Sequence, residues 1–213
     1  MLETATVALA TFFATIGPPD VAVMYAALTA SDSPKRRRQM AIRGTLVAAT
    51  ILVVFALIGE FLLTSLGISL AALRTAGGIL LLLIGIDMVF ARSSGGTSTT
   101  EEEEKEAMAK QDISVFPLAT PLIAGPGAMG AVILLMANTE GNIALQAIVV
   151  ACLLAILLLT LSMLLLASKI QKWVGVTGMH VVSRIFGVLL SALAIQFMFD
   201  GIAQSGLLAA TNI

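Results

Sequence analysis

The sequence predicts an all-α integral membrane protein, with six transmembrane helices arranged as two inverted-topology three-helix repeats and with helices 1 and 4 broken. Three observations lead there. Of the 213 residues, 58% are hydrophobic and only 12% charged, with a mean hydropathy of +1.01, whereas a soluble domain is nearer half apolar and a quarter charged. Six apolar stretches are each long enough to cross about 30 Å of hydrocarbon, which takes roughly 20 helical residues. Two sequence marks also recur in both halves of the chain at nearly one spacing.

The first stretch, about 5–30, follows Met1-Leu2-Glu3-Thr4, which carries no Lys or Arg and no small-residue cleavage site. It therefore reads as a span and not as a signal peptide. Ser31-Asp32-Ser33-Pro34 ends it, and Lys35-Arg36-Arg37-Arg38 belong in water or among headgroups. Spans two and three follow at about 42–66 and 71–91. Residues 92–112 are Ser, Gly, Thr and Glu in the main, including Glu101 to Glu104, and lack the large apolar side chains that build a core. They read as a flexible acidic cytoplasmic linker. The second half holds spans at about 114–137, 142–168 and 180–204. The chain thus divides into a first repeat (1–91), the linker (92–112) and a second repeat (113–213) within one membrane domain.

Charge sets the orientation. With six crossings, eleven of the twelve Lys and Arg residues share one side and Arg74 alone lies on the other; re-entrant hairpins at the Gly-Pro clusters would weaken this to eight against four. Cations stay cytoplasmic, so both termini face outward, on the periplasmic or extracellular side.

The repeat is carried by Gly17-Pro18-Pro19-Asp20 in span one against Gly125-Pro126-Gly127-Ala128 in span four, and by Arg74-Thr-Ala-Gly77 opening span three against Arg184-Ile-Phe-Gly187 opening span six. Gly17 and Arg74 are 57 residues apart, Gly125 and Arg184 are 59 apart. Each unit has three spans, so the second enters the membrane from the opposite side, the plan of many secondary transporters.

Proline lacks an N–H and clashes with the carbonyl four residues back, so Pro18, Pro19 and Pro126 break the helical ladder. In hydrocarbon such a break must be buried in protein or line a wet cavity. Freed carbonyls accept from an ammonium or a cation, and the N-terminus of the next half-helix favours a carboxylate. Two breaks related by a pseudo-two-fold axis near the bilayer middle would hold both ends of a zwitterion, with Gly17, Gly125 and Gly127 leaving the backbone accessible. The candidate substrate-binding residues are therefore Gly17, Pro18, Pro19, Asp20, Gly125, Pro126 and Gly127. The alternative for each cluster is a structural kink. Asp20 has two readings that do not exclude one another: a group that binds an ammonium or carries a proton, and an N-cap for a half-helix from Val21.

Pro117-Leu-Ala-Thr-Pro121-Leu-Ile-Ala-Gly125-Pro126-Gly127-Ala128, Arg74-Thr-Ala-Gly77-Gly78 with Asp87, and Arg184-Ile-Phe-Gly187 with Gln196, Asp200 and Gly201 together resemble the MarC family of six-span bacterial membrane proteins. The resemblance covers nearly the whole chain outside the linker. It implies transport of small neutral amino acids such as alanine or glycine. The family usually shows an Asn-Pro turn in span one, where this chain has Gly17-Pro18-Pro19-Asp20, which loses an amide and places a carboxyl nearby.

Asp87, Asp200 and Glu60 fall toward span ends and read as interfacially solvated. Arg74 and Arg184 read as snorkelling anchors or as partners of a neighbouring helix terminus. Gly187, Ser191 and Ala194, and likewise Gly78 and Gly85, form small-residue stripes suited to close helix packing. Trp173 suits an interface, His180 a connection, and Cys152 an apolar filling role. One His, one Cys and a net charge of −1 argue against an enzyme, a metal or cofactor site, and a nucleic-acid partner. The expected partners are a small-molecule substrate, a coupling proton or Na+ and the lipid bilayer, with a homo-oligomer left open. A non-transporting membrane scaffold or assembly factor is the second function class.

Overall fold

The computed structural model describes residues 1–29, 32–90 and 112–205, with the side chains of 27, 60, 64, 168–180, 182 and 183 excepted. The described chain is helical: α1 (Leu2–Ile16), α2 (Pro18–Leu28), α3 (Pro34–Ser65), α4 (Leu70–Phe90), α5 (Ser114–Ile123), α6 (Pro126–Ala137) and α7 (Ile143–Gln204). Five helical stretches are long and apolar enough to cross a membrane: Leu2–Ala26, Pro34–Gly59, Leu70–Phe90, Ile143–Ala167 and Arg184–Gln204. α5 and α6, bent by 54° at a short break, make a sixth if they count as one span. The linker 92–111 lies outside the described residues.

Two expected boundaries move. α3 starts at Pro34 instead of about 42, so Lys35 to Arg38 stand on the helix and not in the preceding connection. Proline suits a first helical position, where its missing N–H costs no bond. The connection expected between spans five and six is itself helical, so both belong to α7. α7 is nevertheless not straight: Leu145 lines the same cavity as Leu193, Gln196 and Asp200, whereas a straight helix would separate Leu145 from Leu193 by about 70 Å. The two apolar parts of α7 therefore lie side by side, and the chain reverses between them.

α4 and the Arg184–Gln204 part of α7 form the tightest pairing, and it is antiparallel. A Cβ added at Gly78 would stand 2.7 Å from the Ala194 carbonyl oxygen, one at Gly187 2.9 Å from that of Gly85, and one at Gly201 2.8 Å from that of Ala71. Only glycine admits such backbone approach, and without a hydrophobic force between helices in lipid this packing is what holds them. The expected stripes are thus a helix seam. α6 runs antiparallel along α4 as well, from Arg74 beside Asn138, through Gly77 beside Leu134, to Ile84 beside Gly127. α1 lies against both parts of α7, with the Phe13 and Phe186 rings 4.0 Å apart. Large apolar side chains are plentiful on the outer faces: Leu57, Phe61, Leu83 and Leu158 are all more than half exposed. In a chain this apolar those faces meet lipid.

Candidate functional site: two helix joints and a cavity

The first joint is compact. α1 ends on Gly17, whose φ of +60° and ψ of +56° are left-handed, and the Gly17 N–H donates to the Phe13 carbonyl at 3.0 Å. Glycine holds this conformation at no steric cost. Pro18 and Pro19 then fill the first two positions of α2, where no intrahelical bond is lost. On the α1 side the same prolines leave the Ala14 and Thr15 carbonyls without an N–H from the next turn. Asp20 stands in the first turn of α2, its Oδ2 3.5 Å from where a Gly17 Cβ would sit. It is therefore not the N-cap of a helix starting at Val21, because the prolines start the helix earlier. A carboxylate there lies at the positive end of the α2 dipole. Gly17, Pro18 and Pro19 are buried and Asp20 is half-buried. One turn earlier, the fully buried Thr11 hydroxyl has no hydrogen-bond partner, and the Thr15 hydroxyl donates to the Thr11 carbonyl at 2.8 Å. This joint is rich in acceptors.

The second joint is spread out. Within α5 the Leu118 N–H donates to the Ile113 carbonyl (3.1 Å) and that of Ala124 to the Ala119 carbonyl (2.8 Å), both skipping five residues. Phe116 (φ −128°, ψ 126°) and Thr120 (φ −138°, ψ 129°) are extended. Each precedes a proline, and the residue before proline is driven out of helical geometry. Gly125 is the N-cap of α6, Pro126 occupies its first turn, and that turn has neither an acidic residue nor a side-chain cap. The first N–H groups of a helix have no intrahelical acceptor, so Gly127 and Ala128 offer donors here. This joint is rich in donors. Gly125 and Gly127 are buried and Pro126 is exposed. A methyl on Gly127 would meet the Ile84 Cδ1, so this glycine packs on α4.

α1 packs on α6, and α2 on α5. Glu3, Thr4 and Val7 at the start of α1 share a cavity of ≈ 230 Å³ with Leu135, Asn138 and Thr139 at the end of α6. The two helices thus run antiparallel, which puts Gly17 and Gly125 at one depth, about 20 Å in from the cavity. The cavity is completed by Leu145, Leu193, Gln196, Phe197 and Asp200; none of the seven predicted site residues lines it. Because Glu3 and Asp200 share it, the first span begins on the face where the last ends.

Arg74 is only 8% exposed and does not snorkel. Its Nε donates to Asn138 Oδ1 at 2.5 Å, at the residue that caps the C-terminus of α6. A cation there complements the dipole and turns the Asn138 amide so that its oxygen faces the arginine. The reading of Arg74 as partner of a helix terminus is the correct one. Arg184 is exposed. Asp87 and Asp200 are half-buried, and Asp200 accepts from Gln196 Nε2 at 2.9 Å. Cys152 is buried against the Ala5 carbonyl (3.8 Å). The side chains of Glu60, Trp173 and His180 lie outside the described residues. Sequence reasoning missed Thr11, Thr15, Asn138, Pro117 and Pro121. Two threonines four apart in an apolar span, and prolines at 117, 121 and 126, were the available signals.

Residues 2–205 match the MarC family of integral membrane proteins. Similar proteins include a UPF0056 membrane protein of Methanocaldococcus jannaschii, 36% identical over 195 residues, 92% of this chain and 94% of the relative. Another, of Archaeoglobus fulgidus, is 32% identical over 196 residues (91% and 90%). The Bacillus subtilis UPF0056 membrane protein YvbG is 31% identical over 190 residues (89% and 90%). No solved structure matches. With its apolar helices and a match over nearly all of its length, the chain belongs to the MarC family of integral membrane proteins.

Proposed function

We propose that this chain is a secondary transporter or exporter of small solutes, with small neutral amino acids such as alanine and glycine as its substrate class. The observation that carries the reading is the pair of helix joints at Gly17 and Gly125, set at one depth by antiparallel packing of α1 on α6. Their chemistry differs in sign. The first joint offers the Ala14 and Thr15 carbonyls and the Asp20 carboxylate to an ammonium; the second offers the Gly127 and Ala128 N–H groups at a helix N-terminus to a carboxylate. A small zwitterion has one group for each. The cavity at Glu3 and Asp200 is the vestibule through which it reaches them.

The same reading takes the two halves as inverted repeats with broken first and fourth spans. It is supported by the reciprocal packing of α1 on α6 and α2 on α5, and by the antiparallel α4 and Arg184–Gln204. Both termini then face outward from a bacterial inner membrane, and a proton on Asp20 or a Na+ couples transport. Packing of Gly127 on Ile84 favours a second reading, a non-transporting scaffold in which the Gly-Pro segments only shape helix contacts.

The test is uptake and efflux of labelled alanine by purified protein in liposomes, with and without a pH or Na+ gradient. Transport responds to one gradient if the proposal holds; no flux above protein-free liposomes would leave the scaffold. Cysteines at Thr97 and Asn212 should label from opposite sides of intact cells, and labelling of both by one impermeant reagent would overturn the orientation.

A further inference from the structure

We propose that Arg37 and Arg38 of α3, with Leu164 and Leu165 of α7, form a site for one anionic phospholipid. A cavity of ≈ 420 Å³ lies at the start of α3, lined by Pro34, these two arginines and these two leucines. Its walls are of two kinds, guanidinium on one side and leucine on the other, as a phospholipid is anionic at its phosphate and apolar in its tails.

Among the described residues the charge at this place is only partly compensated. α3 opens with Lys35, Arg36, Arg37 and Arg38 and has no acidic residue in its first turn, although the N-terminal end of a helix dipole favours anions and disfavours cations. Among the described residues Arg36 pairs with Asp32 at 3.4 Å and Arg43 with Asp112 at 2.7 Å, and neither Arg37 nor Arg38 pairs with a carboxylate. The Tyr25 hydroxyl donates to the Arg37 carbonyl, which pins the first turn of α3 to α2 and presents both arginines from a fixed backbone. A phosphodiester satisfies two adjacent guanidinium groups together.

Depth selects a lipid over a free anion. Leu164 stands three residues before the end of the apolar span Ile143–Ala167, where hydrocarbon gives way to headgroups. Leu154, Leu158 and Leu165 follow one another at helical spacing and are 43%, 64% and 44% exposed, a track for an acyl chain leading away from the cavity. Basic pockets between membrane helices at this level suit anionic headgroups.

The test is native mass spectrometry of the purified full chain titrated with dioleoyl phosphatidylglycerol and, separately, dioleoyl phosphatidylcholine. One phosphatidylglycerol should bind preferentially, and inorganic phosphate should not displace it. Arg37→Gln with Arg38→Gln should weaken phosphatidylglycerol roughly thirty-fold and leave phosphatidylcholine unchanged, the size expected for two interfacial cations. Leu165→Trp, which fills the cavity and keeps both charges, should also weaken phosphatidylglycerol, and Lys35→Gln, outside the cavity, should not. Equal affinity for both lipids, displacement by phosphate, or unchanged binding in folded Arg37/Arg38 and Leu165 variants would overturn the proposal. So would lipid binding that emerges only after Glu101 to Glu104 are replaced by Gln, since the chain's own carboxylates would then fill the cavity.

Discussion

The helix joints at Gly17 and Gly125 carry the same Gly-Pro mark and differ in geometry. At Gly17 the chain bends at one residue, and regular helix stands on both sides. Between Ser114 and Gly125 it loses regular winding for ten residues before α6 begins, and α5 and α6 meet at 54°. Proline spacing is the cause. Pro18 and Pro19 are adjacent and share the first turn of α2, where neither costs α2 a hydrogen bond. Pro117, Pro121 and Pro126 come at intervals of four and five, and Phe116 and Thr120, each before a proline, are pushed out of helical geometry, so no regular α-helix runs through them. The same mark thus makes a one-residue, acceptor-rich joint in one half and a long, donor-rich one in the other. Prolines adjacent in sequence move a helix start; prolines about one turn apart disrupt regular α-winding.

The sharpest way to break this contrast is at Asp20. Asp20→Asn removes the formal charge of the first joint, and alanine affinity by calorimetry should fall ten- to a hundred-fold, the range of a charge-assisted hydrogen bond. Neutralisation should also abolish any response of transport to a pH gradient.

Glycine substitutions should distinguish the joints next. At Gly17 nothing but Asp20 lies within 4 Å of an added Cβ, yet φ is +60°. Gly17→Ala should therefore cost about 1–2 kcal/mol through backbone strain, with Gly17→Leu costing little more. Gly127 has no positive φ and meets the flexible end of Ile84. There the cost should rise with size, reaching about 1–3 kcal/mol for Leu, and Ile84→Ala should relieve it. Thermal unfolding in detergent reads both series, and equal size dependence at the two glycines would erase the distinction.

A smaller effect is expected where α6 ends. Arg74→Met removes the cation at its C-terminus and should cost about 1 kcal/mol, by dipole and side-chain hydrogen bond together. Arg74→Lys restores the charge but not the planar fork and should recover only part of it.

The smallest effect belongs to the ion pair Arg43–Asp112, which ties the start of the second half to α3. The Ser114 N–H, donating to Asp112 Oδ1 at 2.9 Å, and Arg43 alongside hold the Asp112 carboxyl below its ordinary range. The depressed pKa means the stabilisation is present above the unfolded value near 4 and is lost as pH falls through the native one. The pair is about half exposed, so Arg43→Gln should change stability by a few tenths of a kcal/mol at neutral pH and by less under strongly acidic conditions.

Helix content and span positions were legible because apolar length is a local property: Leu70–Phe90 and Ile143–Ala167 fall where hydropathy places them, within a residue. The small-residue stripes of α4 and α7 were legible from their helical spacing, whereas their pairing with each other is a tertiary fact. The start of α3 was not, because Lys35 to Arg38 look like a connection when counted by polarity, although Pro34 marks a helix start. The burial of Arg74 was hidden for a tertiary reason: its partner Asn138 lies 64 residues away. The irregular α5 was written in Pro117 and Pro121, which read as part of a family pattern and not as broken turns. The opposite polarity of the joints was half visible, in that Asp20 has only Ala128 at the matching position. That Pro18 and Pro19 begin α2 and strip it of donors required the helix boundary.

The most direct measurement is competition for labelled alanine uptake in liposomes by half-ligands, ethylamine carrying only the ammonium and propionate only the carboxylate, in the parent and in Asp20→Asn. If the ammonium is held at the Gly17 joint and the carboxylate at the α6 N-terminus, both compete in the parent, and Asp20→Asn loses competition by ethylamine while keeping that by propionate. Competition by ethylamine that is unchanged in the variant, or lost together with that by propionate in a folded protein, would contradict a zwitterion held between the two joints.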